Sequence, residues 1–227
     1  MTPAPYGRIT AGGMQDIPSA TEAAHDRAMM ARCIALAREA GERGEYPYGA
    51  VICRGETVIA EGASRVRHDG DVTHHAEMVV ISKAQTTLQT TSLDDCTIYT
   101  SAEPCVQCAY AIRESRIGRV VFGMRSPFIG GMSRWNVLGD GDISRTMSEV
   151  FAPPPVIVAG FMAEEVEAAL IASDPLVWGI VKTRGLFGER KPQEVAVQGR
   201  PPGWPERLKD HIMAFLRRNF FDYFGRR

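Results

Sequence analysis

Long apolar runs are missing from this 227-residue chain: none approaches the roughly 18 consecutive apolar positions that a membrane-spanning helix needs. A dominant charge is missing too. The 26 Lys and Arg against 27 Asp and Glu leave a formal net charge of −1, so nothing pulls the whole molecule toward nucleic acid or an anionic membrane, and any basic partner surface must be local. Cysteines are few. The five of them, Cys33, Cys53, Cys96, Cys105 and Cys108, are an odd number in a chain too large to need disulfide stapling. The opening residues "MTPAPYGRITAGGMQDIPSA" show no charged segment followed by an apolar one, so a cytoplasmic, reducing setting is expected. Repeats and low-complexity segments are absent as well. What is present is 44% hydrophobic residues, enough for one substantial core with appendages rather than two full domains.

Punctuation and periodicity divide the chain into three. Residues 1–18 mix Pro, Gly and Thr without period and read as a loose arm. From Ser19, "SATE" places a Glu three residues after a capping hydroxyl, and a helix is expected from there to Gly41. "YGAVICRGETVIAEG" reads as a hairpin turning at residues 54–57, and "HHAEMVVISKAQTTL" as a helix. A strand at "CTIYTS", a short helix at "CVQCAYAIRES", a strand at "RVVFGM", a fifth strand at "PPPVIVAG" and a helix at "MAEEVEAALIAS" complete an α/β sandwich with helices on both faces of a sheet. A Gly- and Arg-rich loop spans 125–142; loops of that length in compact domains are commonly functional or disordered. The expected domain thus covers 19–175. Residues 176–227 form an extension, with a Pro/Gly-rich linker and an amphipathic helix in "RLKDHIMAFLRRNFFDYFGRR".

The chemistry centres on "EPCVQCAY". A Cys-x-x-Cys pair in a cytosolic chain is either a redox pair or part of a zinc site, and a helix starting after Pro104 favours thiolate in both cases. A four-cysteine structural site needs a second close pair, and Cys33, Cys53 and Cys96 stand singly; they read as small core residues. A catalytic zinc site needs three protein ligands and an open position for water. "HHAE" offers the third ligand, His75, with Glu77 two residues on as a carboxylate able to move protons.

His-x-Glu followed by Pro-Cys-x-x-Cys is a signature of zinc deaminases, and here it reads His75-Ala76-Glu77 and Pro104-Cys105-Val106-Gln107-Cys108. With "YPYGAVICRGETVIAEG" and "YTSAEPCVQCAYAIRESRIGRVVFG", the chain over about residues 20 to 172 resembles the cytidine deaminase-like superfamily, in the branch that includes tRNA adenosine, cytosine and guanine deaminases. The resemblance implies a three-layer α/β/α sandwich around a five-stranded mixed sheet and one Zn²⁺ per subunit on His75, Cys105 and Cys108. It further implies Glu77 as proton shuttle and a homodimer with sites near the subunit interface. It puts the backbone N–H of Ala76 and the carbonyl of Ser101 or Ala102 against the reacting ring.

The chain departs from this pattern at one place. Relatives carry Asn in the loop after the second strand; "EGASRV" has Ser64 there, a shorter group with a single donor. In the long loop, "GGMSRWN" offers Trp135 and Asn136 as substrate contacts, Trp135 serving equally well as a plug at a dimer interface. Tyr48 and Phe128 are further candidates for the pocket wall, a point nothing in the sequence decides. Three functions are compatible with these residues. They are a hydrolytic deaminase of a free aminated heterocycle, an adenosine deaminase of tRNA gripped by the basic C-terminal segment, and a silent zinc-stabilised interaction protein, against which the retained Glu77 argues.

Overall fold

The computed structural model describes residues 8–9 and 20–188, all within the unit Met1–Pro192. The helix expected from Ser19 is α1 (Ala20–Glu42). The hairpin is β2 (Gly49–Arg54) and β3 (Thr57–Ala63), turning at Gly55-Glu56. A single turn, α2 (Val66–Asp69), precedes α3 (Ala76–Leu88), β4 (Cys96–Ala102), α4 (Val106–Glu114) and β5 (Arg119–Met124). The long loop runs past its expected end and carries α5 (Gly141–Thr146) before β6 (Val156–Ala159). Helices α6 (Ala163–Ser173) and α7 (Pro175–Thr183) follow. Asp174 starts α7 by accepting from the N–H groups of Leu176 and Val177, ahead of a proline at the first helical position.

The five expected strands form a mixed sheet: β3, β2 and β4 pair antiparallel, and β4, β5 and β6 pair parallel. The arm read as loose adds a sixth, two-residue strand, β1 (Arg8–Ile9), antiparallel to β6. The expected helix within 206–227 lies outside the described residues.

Strand residues alternate between two cores, as a period of two requires. Ala50, Ile52, Ile98, Val120 and Phe122 face Val80 and Ala84 of α3 and Ala109 and Ile112 of α4. Val51, Cys53, Tyr99 and Val121 face Met30 and Cys33 of α1, Val166 and Leu170 of α6 and Trp178 of α7. Each fully buried large side chain contributes about 1.5–3 kcal/mol. Cys33, Cys53 and Cys96 are buried and free, as expected of core residues; burial pushes the Cys53 and Cys96 thiols up to about 11, which makes them inert. Arg119 at the start of β5 donates to both Asp26 carboxylate oxygens at 2.8 and 2.6 Å, and Tyr99 donates to the same carboxylate at 2.8 Å. That bidentate pair ties α1 to the sheet beneath it.

Candidate metal centre

Three side chains converge where two helices begin on the same side of the sheet. His75 is the residue that caps α3 and Cys105 the residue that caps α4, each in extended backbone, and Cys108 sits in the first turn of α4. The positive ends of both helix dipoles therefore meet at one point and favour anionic sulfur there. The two sulfurs are 3.6 Å apart, and His75 Nδ1 is 3.5 Å from Cys105 Sγ and 3.4 Å from Cys108 Sγ. These separations exceed the disulfide bond length of about 2.05 Å. A tetrahedral zinc at ordinary bond lengths separates sulfur from sulfur by about 3.8 Å and sulfur from nitrogen by about 3.5 Å, so the donor set fits that ion. Among the described residues, His75, Cys105 and Cys108 are the one set of three such donors brought together.

Protonation follows the same geometry. The hydrogen bond with Cys108, aided by the His75 ring, holds the Cys105 thiol down at about 4, while Cys105 and burial push Cys108 up and His75 is raised by its bond to Cys105. One thiolate is thus already favoured, and a bound divalent cation ionises both sulfurs. Burial, with the nearby Cys105 charge adding to it, pushes the Glu77 carboxyl up to about 7. Glu77 is 8% exposed, and its charge helps push the Cys108 thiol up.

A pocket of about 550 Å³ including its mouth opens beside this cluster. It is lined by His75, Glu77 and Cys105 and by four residues expected at the substrate: Ser64, Ala76, Ser101 and Ala102. Tyr48 also lines it, its phenol pushed up to about 12 by burial and so neutral. Trp135 and Asn136 are not among the lining residues. Trp135 is 56% exposed with the Arg134 guanidinium 5.2 Å from its ring centre, and Asn136 takes a left-handed turn at φ 52°. Phe128 is likewise exposed, and the long loop contributes Ile129 instead. His74 turns from the cluster, its Nδ1 2.7 Å from Asp69.

The loop holds its place over the pocket through two buried side chains. Glu103 accepts from the N–H groups of Ser126, Met132 and Ser133 at 2.7, 3.0 and 2.6 Å and from the Ser133 hydroxyl at 2.6 Å. Arg113, 2% exposed, donates to the carbonyls of Val137, Leu138, Asp140 and Ala152 and to the Ser144 hydroxyl. Gly130 and Gly131 make this approach possible. A Cβ on Gly130 would lie 2.1 Å from a Glu103 oxygen, and one on Gly131 would lie 2.2 Å from the Ala109 Cβ.

Besides Ile129, further lining residues escaped the sequence reading. Tyr46 lines the pocket from the connection before β2, Thr100 from β4 and Phe187 from beyond α7. Phe187 stacks on Trp178 with ring centres 5.7 Å apart, and its neighbours are fastened to the long loop: Ser126 Oγ donates to the Leu186 carbonyl, and Gly188 N–H donates to the Arg125 carbonyl. The segment read as the start of an extension therefore packs on the core.

Comparison with known proteins agrees with the site. The cytidine and deoxycytidylate deaminase zinc-binding region matches residues 23–124. The tRNA-specific adenosine deaminase of Aquifex aeolicus is 35% identical over 118 residues, which cover 52% of this chain and 78% of that one. The chain belongs to the cytidine and deoxycytidylate deaminase zinc-binding family. A structure from work on A-to-I editing by tRNA:A34 deaminases shares 32% identity with this chain at a TM-score of 0.54, over 63% of this chain and 99% of that one. The tRNA(Ile)-lysidine synthase of Deinococcus radiodurans is 34% identical over 73% of this chain, which spans only 26% of the synthase. In the corresponding enzyme of Deinococcus deserti the share spanned is 25%. No helix among the described residues is long and apolar enough to cross a membrane.

Proposed function

We propose that this zinc deaminase hydrolyses a small aminated heterocycle, a purine or pyrimidine base, a nucleoside or a related ring, to the oxo compound with release of ammonia. The observation that carries the reading is Glu77, a buried carboxylate in the wall of the pocket that His75 and Cys105 also line. A zinc ion held by His75, Cys105 and Cys108 supplies Lewis-acid activation of a water. Glu77 takes a proton from the attacking water and passes it to a ring nitrogen; it then takes the remaining proton of the added hydroxyl and delivers it to the amine, which departs as ammonia as the carbonyl forms and the C–N bond breaks. Ala76 is the first residue of α3, where no helical carbonyl takes the N–H, and that N–H together with the carbonyl of Ser101 or Ala102 orients the ring. Tyr46, Tyr48 and Phe187 give it an aromatic wall and Ile129 narrows the mouth.

In this reading residues 19–175 carry the zinc ligands and Glu77, the arm 1–18 precedes them, and the segment from 176 adds Phe187 to the pocket wall. Five free cysteines support a cytoplasmic setting. The exposed Trp135 and Phe128 support a homodimer that covers them.

Editing of adenosine in tRNA is the second reading, favoured by the 35% identity to the Aquifex aeolicus enzyme. Ammonia release by the zinc-loaded protein, measured on bases, nucleosides, pterins and triazines and in parallel on tRNA, separates the two. Release from a small ring is the expected result. Release from tRNA alone, with binding that weakens steeply as salt rises, moves the assignment to editing. Silence on both contradicts deamination.

A further inference from the structure

Ser64 is 5% exposed and lines the pocket, and its hydroxyl is already engaged. Its partner is Glu45, a buried carboxylate in the turn between α1 and β2 that lies outside the metal cluster. Three backbone N–H groups point at that carboxylate: Tyr46 at 2.7 Å on Oε1, and Arg67 and His68 at 2.8 and 3.1 Å on Oε2. A carboxylate has about four acceptor positions and no proton to give. The fourth position is filled by Ser64 Oγ, 3.2 Å from Oε1, so the Ser64 proton points at Glu45. Only lone pairs of that oxygen are left for the pocket.

The strand on the other side of β2 repeats the pattern. Thr100, also lining the pocket and 2% exposed, donates its hydroxyl proton to the Ala102 carbonyl at 2.7 Å. Two of the pocket's hydroxyls thus act as acceptors only. Arg67 braces the Glu45 turn by donating to the Gly44 carbonyl and stacking over Tyr46, 4.4 Å from its ring centre.

We propose that Ser64, fixed by Glu45 as its positioning residue, selects rings that bring an N–H donor to this wall, and so selects free bases over the same bases substituted at the ring nitrogen. The inference rests on the reading of the pocket as a ring-binding site and adds the polarity of one wall. A ring that lacks the donor leaves buried lone pairs unpaired, which is the costly form of mismatch.

The test is calorimetric binding to the zinc-loaded Glu77→Gln protein, which does not depend on turnover. Probes are adenine against 9-methyladenine, cytosine against 1-methylcytosine and guanine against 9-methylguanine. The free base of the tightest-binding pair is expected to bind about ten-fold or more tightly than its methylated partner. Ser64→Ala should bring that preference down to about two-fold, Ser64→Thr should keep it, and Glu45→Gln should lower it. A preference unchanged in Ser64→Ala makes the methyl group a steric matter and overturns the inference, as does the absence of binding by any pair. Ammonia release by the wild-type protein on the same bases scores the deaminase reading separately. Turnover without a Ser64-dependent preference removes only the inference, whereas a preference without turnover supports it and counts against deamination.

Discussion

Glu103 and Ser133 are joined twice, the Ser133 N–H donating to one carboxylate oxygen and the Ser133 hydroxyl to the other, both at 2.6 Å. Glu103 follows β4 and Ser133 lies in the long loop, so this pair fixes the loop above the metal cluster.

Replacing Glu103 by Ala strands four donors at a site that is 4% exposed. The expected loss is about 3 kcal/mol of unfolding free energy, from the desolvated donors left unpaired. Zinc binding should survive, because no ligand is removed. Chemical denaturation and metal analysis of the variant check both; a loss below about 0.5 kcal/mol contradicts the anchoring role.

Much of this was legible in the sequence, for physical reasons that differ from place to place. The strands declared themselves because buried β residues alternate between two cores, as Ala50, Val51 and Ile52 do. His75, Glu77, Cys105 and Cys108 were legible because their chemistry needs those residue types at short, fixed spacings on helix starts. Glu45 was not, since a carboxylate in "GERGEYPYG" looks like a solvated turn until the fold brings the Arg67 and His68 N–H groups to it. Trp135 was legible only as two alternatives, a ring contact or an interface plug; Gly131 and Glu103 pin the loop so that Ile129 lines the pocket and the indole stands exposed. Phe187 carried no local signal at all. It reaches the site through packing on Trp178 and Tyr48 and through bonds between its neighbours and the loop at 125–126.

Phe187 should affect binding more than chemistry. Phe187→Ala opens the aromatic wall without touching His75, Glu77, Cys105 or Cys108, so KM for a ring substrate is expected to rise about ten-fold or more with kcat changed much less. Equal falls in kcat and kcat/KM would mean that the ring matters only in the transition state and contradict this assignment.

Asp69 gives the fold an acid-sensitive contact beside the site. Hydrogen bonds from Arg65 first, then His68 and His74, hold its carboxyl far below the ordinary 3.8. A depressed value stabilises the fold above the unfolded-state value and is lost as pH falls through the folded one. The melting temperature of Asp69→Asn should therefore lie below that of wild type at about pH 6, and the two should converge as pH falls below about 3. Parallel curves over that range would show that Asp69 contributes nothing through its charge.

The central claim is that Glu77 carries protons for a reaction at the His75, Cys105 and Cys108 cluster. The most direct measurement is ammonia release by wild type and Glu77→Gln at equal zinc content. The expected result is equal zinc occupancy and a fall in turnover of about 10²–10⁴-fold in the variant. Equal rates at equal zinc would contradict the account.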